Sequence, residues 1–505
     1  MKKIEEIIKK ENVKTIILWT LIFMIIAHGF AYTNVLFSHD SMRTFFWTKV
    51  DTIEIGRYLI PFLIMIRGKY YPPLLIGIFT YILLVVINYL LIELFSITKK
   101  HNIIFLSGIM TTACTITLLN STYIAFTDMD VFAVLLAIIG AYLWRNYKYG
   151  FIFAIIPTFI LLPIYQPHIS FFTGIVVLLL IKDILDKKDV KKILIGKSSM
   201  LTALITFLSS LLLYSLSLKV LYPLFGFTMS NSYNSVSNVA NFSSLDQIFN
   251  LLIGCYKQFF YYIFNPSTHY RLFISILTLL LIIIVIFICI KKLYINKSKI
   301  HERVLFTLFI ILIPFIFNFV YILGNGVEHQ LMIYSFFTLY AFAIMLSETN
   351  VLKKKYYQTF LSFVLLITLF SNIIYSNECY LIKELDTRTT VTTMNRIIDR
   401  LEEMDDYEVG KTKVAFIGNM NSGPLYLQRK SIDVDGVGLL NNFGLTYYKT
   451  YEQYFENYLA YPINVIPEEE ALSFKDRKEV LNMKPFPSKD SIKFVDDTLI
   501  IKLSE

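Results

Sequence analysis

TIILWTLIFMIIAHGFAYTNVLF, residues 15–37, is an uncharged apolar run about as long as a bilayer is thick. No small-residue cleavage pattern follows it, so it reads as a retained signal-anchor helix. Directly after it come Ser38-His39-Asp40-Ser41-Met42-Arg43, then Asp51, then Gly56-Arg57-Tyr58. Carboxylates and guanidiniums are costly at a membrane boundary, so a cluster there points to chemistry or to a charged ligand.

Outward from this stretch the pattern repeats. Further runs of spanning or near-spanning length fall near 73–97, 103–121, 128–144, 150–165, 168–182, 199–222, 271–290, 304–323, 330–347 and 357–375. That predicts an α-helical polytopic membrane protein of about eleven transmembrane helices. The composition agrees. Hydrophobic residues make up 55% of the 505 and charged residues 17%, below the roughly 25% of soluble proteins. The piece 58–66 is too short to span and is flanked by Arg57 and Arg67, which suits a helix lying in the interface. Residues 245–264 mix Leu, Ile, Phe and Tyr with Asp246, Gln247, Lys257 and Gln258 and read as a second such helix.

Lysine and arginine orient the bundle. With the N-terminus inside, the cytoplasmic segments outnumber the outward loops in Lys and Arg by about three to one. Lys187-Lys188, Lys191-Lys192, Lys291-Lys292 and Lys353-Lys354-Lys355 carry most of the bias. The same arrangement accounts for the net charge of +9, so nucleic-acid binding is not needed to explain it. An odd number of spans leaves the tail outside. The expected location is a cell membrane, multi-pass, in a low-GC bacterium by its Ile-, Lys- and Asn-rich composition.

The tail changes character after Tyr375. Residues 382–405 have a helical pattern, Lys413–Gly418 reads as a buried strand, 448–459 and 468–482 as helices, and Lys493–Leu503 as a closing hairpin. The division is therefore 1–375, a transmembrane domain, and 376–505, a small extracytoplasmic α/β domain. Tyr447, Tyr448, Tyr451 and Tyr454 are aromatics suited to stacking on sugar. Cys114, Cys255, Cys289 and Cys379 have no metal-ligand spacing, and a disulfide between Cys255 and Cys379 is one reading of two outward cysteines.

Several polar residues gather on the outward side. Asp40 stands where a carboxylate could act as general base toward a hydroxyl, and equally where it would cap the helix start Met42–Trp47. Arg57 suits bidentate phosphate binding, or a snorkelling anchor. Arg67 and Lys69 read as anchors. Asp51, Asp128, Lys257, and Tyr165, Gln166 and His168 of a tight turn are candidates for lining the outward cavity or contacting an acceptor. Thr127-Asp128-Met129-Asp130 would also complement a helix dipole. Glu328-His329-Gln330 opens a span on the same side, and His329 is a candidate for phosphate binding. His28, inside the first run, is expected to bond a neighbouring helix. There is no Walker loop, GxGxxG, HExxH or GxSxG.

Ser38-His39-Asp40-Ser41 after the first span, Gly56-Arg57-Tyr58-Leu59-Ile60-Pro61, the Asp128 region and the Tyr165-Gln166 turn together resemble the GtrII-type glucosyltransferases, polytopic enzymes of the GT-C class. The resemblance covers roughly 15–400. It implies a GT-C-like fold and transfer of a sugar, typically glucose, from undecaprenyl phosphate to a surface polysaccharide or teichoic acid outside the membrane. It places the catalytic acid in the first outward loop, where Asp40 matches. Relatives often carry a second acid beside it; this chain has Ser41. It also implies a flippase and a polyprenyl-phosphate glycosyltransferase as functional companions. The donor is a monophosphate, so no cofactor is required and a divalent cation is optional. Two other readings share the apolar groove and the cations. One is a flippase or transporter of lipid-linked sugars, which would not need Asp40. The other is a polysaccharide polymerase, whose arginine-rich outward loop is missing from 223–270.

Overall fold

The computed structural model describes residues 11–36, 52–68, 71–230, 244–266, 268–349, 355–419 and 448–505. Asp40, Asp51 and Tyr447 lie outside the described residues. The membrane part is built from α1 (Glu11–Thr33), α2 (Ile60–Arg67), α3 (Pro73–Phe95), α4 (Lys100–Thr111), α5 (Cys114–Thr122), α6 (Thr127–Asn146), α7 (Gly150–Tyr165), α8 (Ile169–Leu185) and α9 (Met200–Phe225). It continues with α10 (Leu245–Phe264), α11 (Arg271–Ile295), α12 (Ile300–Leu323), α13 (Thr338–Glu348) and α14 (Lys355–Glu402).

Among the described residues, ten helical stretches have the length and hydropathy to cross a membrane. The expectation of eleven counts α7 and α8 separately. They form one 36-residue apolar stretch, broken where Tyr165 leaves helical geometry (φ −153, ψ 98) and Gln166–His168 make a single 3₁₀ turn. Helices α6, α7 and α8 are buried on most sides and form the middle of the bundle, whereas α9 and α11 present Leu212, Leu216, Ile283 and Phe287 outward, as lipid-facing helices must. Helix α1 crosses α3 at Gly77. A Cβ there would stand 2.6 Å from the Tyr32 ring, so the close approach requires glycine. His28 bonds both neighbours, as its place in an apolar run demands: Nδ1 lies 2.6 Å from the Tyr380 hydroxyl and Nε2 2.9 Å from the Thr111 carbonyl.

The two pieces that the sequence placed at the interface are helical. Helix α2 buries Ile60, Ile64 and Arg67 and exposes Phe62, Met65 and Ile66. Helix α10 buries Leu251, Cys255 and Phe259, a stripe at four-residue spacing, against α12. Helix α12 kinks at Asn318 (φ −122, ψ 17), four residues after Pro314. The freed groups are taken up by α10. Asn318 Nδ2 donates to the Cys255 carbonyl (3.1 Å), and the Cys255 thiol donates to the Asn318 carbonyl (3.2 Å). Cys255 therefore has a structural role. All four cysteines are free and buried, and Cys255 and Cys379 do not pair.

Helix α14 runs unbroken for 48 residues through Tyr375 to Glu402. Beyond it, β1 (Lys413–Ile417), β2 (Asn464–Val465), β3 (Ile492–Val495) and β4 (Thr498–Lys502) form one sheet in the order β2-β1-β4-β3. Strand β1 is parallel to β2 and β4, and β3 pairs antiparallel with β4 across the hairpin the sequence predicts. One face of the C-terminal part of α14, Met394, Ile397 and Leu401, joins the same apolar cluster as Val414 and Phe416 of β1. Tyr451 and Tyr454 are 1% and 0% exposed, with Tyr451 stacked on Phe416 at 4.1 Å, so they are core residues and not a sugar platform.

Candidate functional site

The site is built around Arg57. Residues 52–58 fold into a tight turn, with Gly56 N–H on the Ile53 carbonyl and Arg57 N–H on the Thr52 carbonyl, both at 2.9 Å. Gly56 has φ +89, a conformation that glycine adopts without cost. One face of α9 holds this turn. Tyr214 OH donates to the Gly56 carbonyl (2.9 Å), Tyr58 OH meets Ser217 Oγ (2.7 Å), and Tyr222 OH bonds the Ile53 carbonyl.

The α7–α8 corner supplies the other wall. Pro163 would accept, in a continuing helix, from the N–H of residue 167, but residue 167 is proline and has none. The carbonyl of Pro163 instead accepts from the Leu59 N–H at 3.1 Å, which pins the Arg57 segment to the corner. Tyr165 and Gln166 are placed there. The Arg57 guanidinium carbon lies 4.6 Å from the centre of the Tyr165 ring, and Arg57 Nε donates to Gln166 Oε1 at 3.3 Å. Gln166 is held in turn by donating Nε2 to Tyr214 OH at 2.9 Å. The guanidinium is thus fixed on one edge, and no described residue bonds its fork of terminal N–H groups.

Three further groups feel the Arg57 charge: Asp130 on α6, His168 at the start of α8, and His329. His168 lies against Tyr165, ring centres 4.6 Å apart, on a ring that Arg57 also contacts. Burial first, and the Arg57 charge second, lower the pKa of His329 and favour its neutral form. His329 precedes a 3₁₀ segment, Gln330–Phe337, tied to α8 by Ser335 and Ser170, whose hydroxyls are 3.1 Å apart. That segment also contributes Ile333, Phe336 and Phe337 to an apolar cavity of about 250 Å³ between α10, α11, α12 and α14. The cavity lining follows α11 from Ile274 to Cys289, about 22 Å at 1.5 Å per residue. A polar site and an apolar channel therefore share one wall.

Of the residues singled out in sequence, Arg57, Tyr165, Gln166, His168 and His329 come together. Asp128 does not remain available. Its Oδ1 accepts from Arg67 Nη1 at 2.6 Å, and Arg67, read as an anchor in sequence, is buried in that ion pair and on the Ala125 carbonyl (2.8 Å). Lys257 is exposed on α10, and no hydrogen bond or ion pair joins it to the Arg57 group. Sequence reasoning gave Asp130 only a helix-dipole role and did not single out Tyr214. Asp130 was visible as the second acid of the same helix turn; Tyr214 lies in an apolar run and gave no signal. Among the described residues no cluster of His, Cys, Asp and Glu could hold a metal ion.

No curated protein and no solved structure matches the chain. The family model described as Glucosyl transferase GtrII matches residues 29–348, more than half of the chain and all of the elements that build the Arg57 site. The chain belongs to the GtrII glucosyltransferase family.

Proposed function

We propose that this glucosyltransferase takes glucose from a polyprenyl phosphate and transfers it to a hydroxyl of a surface polysaccharide or teichoic acid on the outer side of the cell membrane. The observation that carries the reading is the fixed Arg57 guanidinium together with an apolar cavity lined by the segment that follows His329. A lipid-linked monophosphate needs a cation for its head and an apolar channel for its tail, and needs no nucleotide pocket.

In this reading the acceptor hydroxyl oxygen attacks the anomeric carbon. Its proton passes to the Asp40 carboxylate as the bond from that carbon to the phosphate oxygen breaks. The electron pair leaves with polyprenyl phosphate, whose charge Arg57 stabilises with His329 beside it. A flippase and a polyprenyl-phosphate glycosyltransferase would supply the donor. The α/β tail would govern the acceptor.

The test is transfer of radiolabelled glucose from polyprenyl phosphate by the full chain in nanodiscs. Arg57→Lys keeps the charge and loses the bidentate fork. Its KM for donor should rise while acceptor dependence stays. Asp40→Asn should insert normally and lose at least about 100-fold in turnover. Wild-type kinetics in both variants would remove these two residues from the reaction.

A further inference from the structure

Asp128 and Asp130 are two residues apart on α6, about 200° around the helix. They meet different surroundings. Asp128 is neutralised by Arg67. Asp130 is 6% exposed and has no hydrogen bond or ion pair with a described residue; its helix α6 packs on the Gln166–His168 turn that holds Arg57, and Arg57 is the cation that acts on it. Across the same site His168 is 1% exposed, and both of its ring nitrogens are buried without a partner. Buried polar groups left unpaired cost about 1–3 kcal/mol each. The two ring nitrogens of His168, with the unbonded Asp130 carboxylate, a guanidinium and an aromatic ring around them, describe a site whose ligand supplies the missing bonds.

The chemistry of the two groups selects the part of the ligand they meet. A carboxylate only accepts hydrogen bonds and repels phosphate, so Asp130 suits hydroxyls. A neutral imidazole has one donor and one acceptor, which is what a hydroxyl also offers. Tyr165, buried and in contact with both Arg57 and His168, holds the two together.

We propose that Asp130 and His168 bind the hydroxyls of the transferred glucosyl ring, next to the Arg57 that takes its phosphate. The proposal rests on the lipid-linked donor reading above. It makes Asp130 the residue through which the enzyme distinguishes glucose from its deoxy analogues.

The experiment measures kcat/KM of the full chain in nanodiscs for polyprenyl-phosphate glucose and its single-position deoxy analogues. Asp130→Asn should lose about 10- to 100-fold with glucose, the size of a hydrogen bond to a charged group. One deoxy analogue should show the same loss with the wild type and no further loss with Asp130→Asn. His168→Gln should behave likewise at another hydroxyl. Binding of sugar-free polyprenyl phosphate should stay unchanged in both. Wild-type kcat/KM in Asp130→Asn overturns the proposal, as does an equal further loss with every analogue. Asp130→Glu, which keeps the carboxylate, serves if the asparagine variant does not fold. If the wild type transfers from no lipid-linked glucose, the donor reading fails by itself. Saturation-transfer NMR with methyl glucoside then decides for the pair: a signal lost in Asp130→Asn supports it, and an equal or absent wild-type signal sinks it.

Discussion

Arg67 and Asp128 stand 61 residues apart and form an ion pair of 2.6 Å with both side chains almost fully buried. The pair fastens the C-terminal end of α2, a helix of eight residues, to the start of α6. So short a helix has little cohesion of its own. Its position beside Arg57 depends on what it is fastened to.

Breaking that pair from one side should therefore be costly. Arg67→Met or Asp128→Leu alone strands a buried charge, at about 3–5 kcal/mol. Each single variant should melt earlier in detergent, and the double variant should regain most of the loss. Single variants with wild-type Tm would show that the pair does not hold the helix.

Tyr214→Phe removes one oxygen that both bonds the Gly56 carbonyl and receives Gln166 Nε2. Two hydrogen bonds at about 1 kcal/mol each predict a rise of about tenfold or more in donor KM, with kcat nearly kept. An unchanged donor KM would mean that Arg57 is positioned without them.

Glu328 lies between α12 and His329, accepts from Asn318 Nδ2 at 3.2 Å, and has its other oxygen buried without a partner. Burial, only partly offset by the Asn318 bond, raises its pKa from 4.5 to about 8. The folded chain then holds a proton that the unfolded chain has released between those values. This contribution to stability is complete below about pH 4.5 and is lost as pH rises to about 8. Glu328→Gln should flatten the fall in apparent Tm across that window and raise Tm at pH 8. A slope identical to wild type would place the titration elsewhere.

Tyr451→Ala should destabilise the sheet by about 3–5 kcal/mol, since it removes a fully buried aromatic stacked on Phe416. Protease resistance of the tail reports it. Loss of saccharide binding with unchanged protease resistance would return Tyr451 to the role its sequence suggested.

Hydropathy made the membrane class legible, because a bilayer admits few solutions for a backbone. The Arg57, Tyr165, Gln166 and His329 grouping was also readable, since each is a polar residue beside an apolar run. What could not be read was pairing. Asp128 and Asp130 look alike in sequence, and only the rotation of α6 decides that Arg67 meets the first and Arg57 acts on the second. Nor does an apolar pattern reveal that α9 places the hydroxyls of Tyr214, Ser217 and Tyr222 on one face for a distant turn. The passage of α14 through Tyr375 was hidden for another reason. Its apolar stripe narrows when it meets β1 instead of neighbouring spans, so composition changes where the helix does not.

The Leu59–Pro163 bond has a bearing on how mutational surveys of this protein should be read. It joins main chain to main chain, so almost any side chain at 59 preserves it and Leu59→Ala leaves it intact. The sensitive position is Pro167, four residues beyond the acceptor. Any other amino acid there restores an N–H that competes for the same carbonyl. A residue with no polar side chain and no contact with substrate can thus decide whether the arginine loop stays attached, and its importance would surface only in substitutions that add a donor.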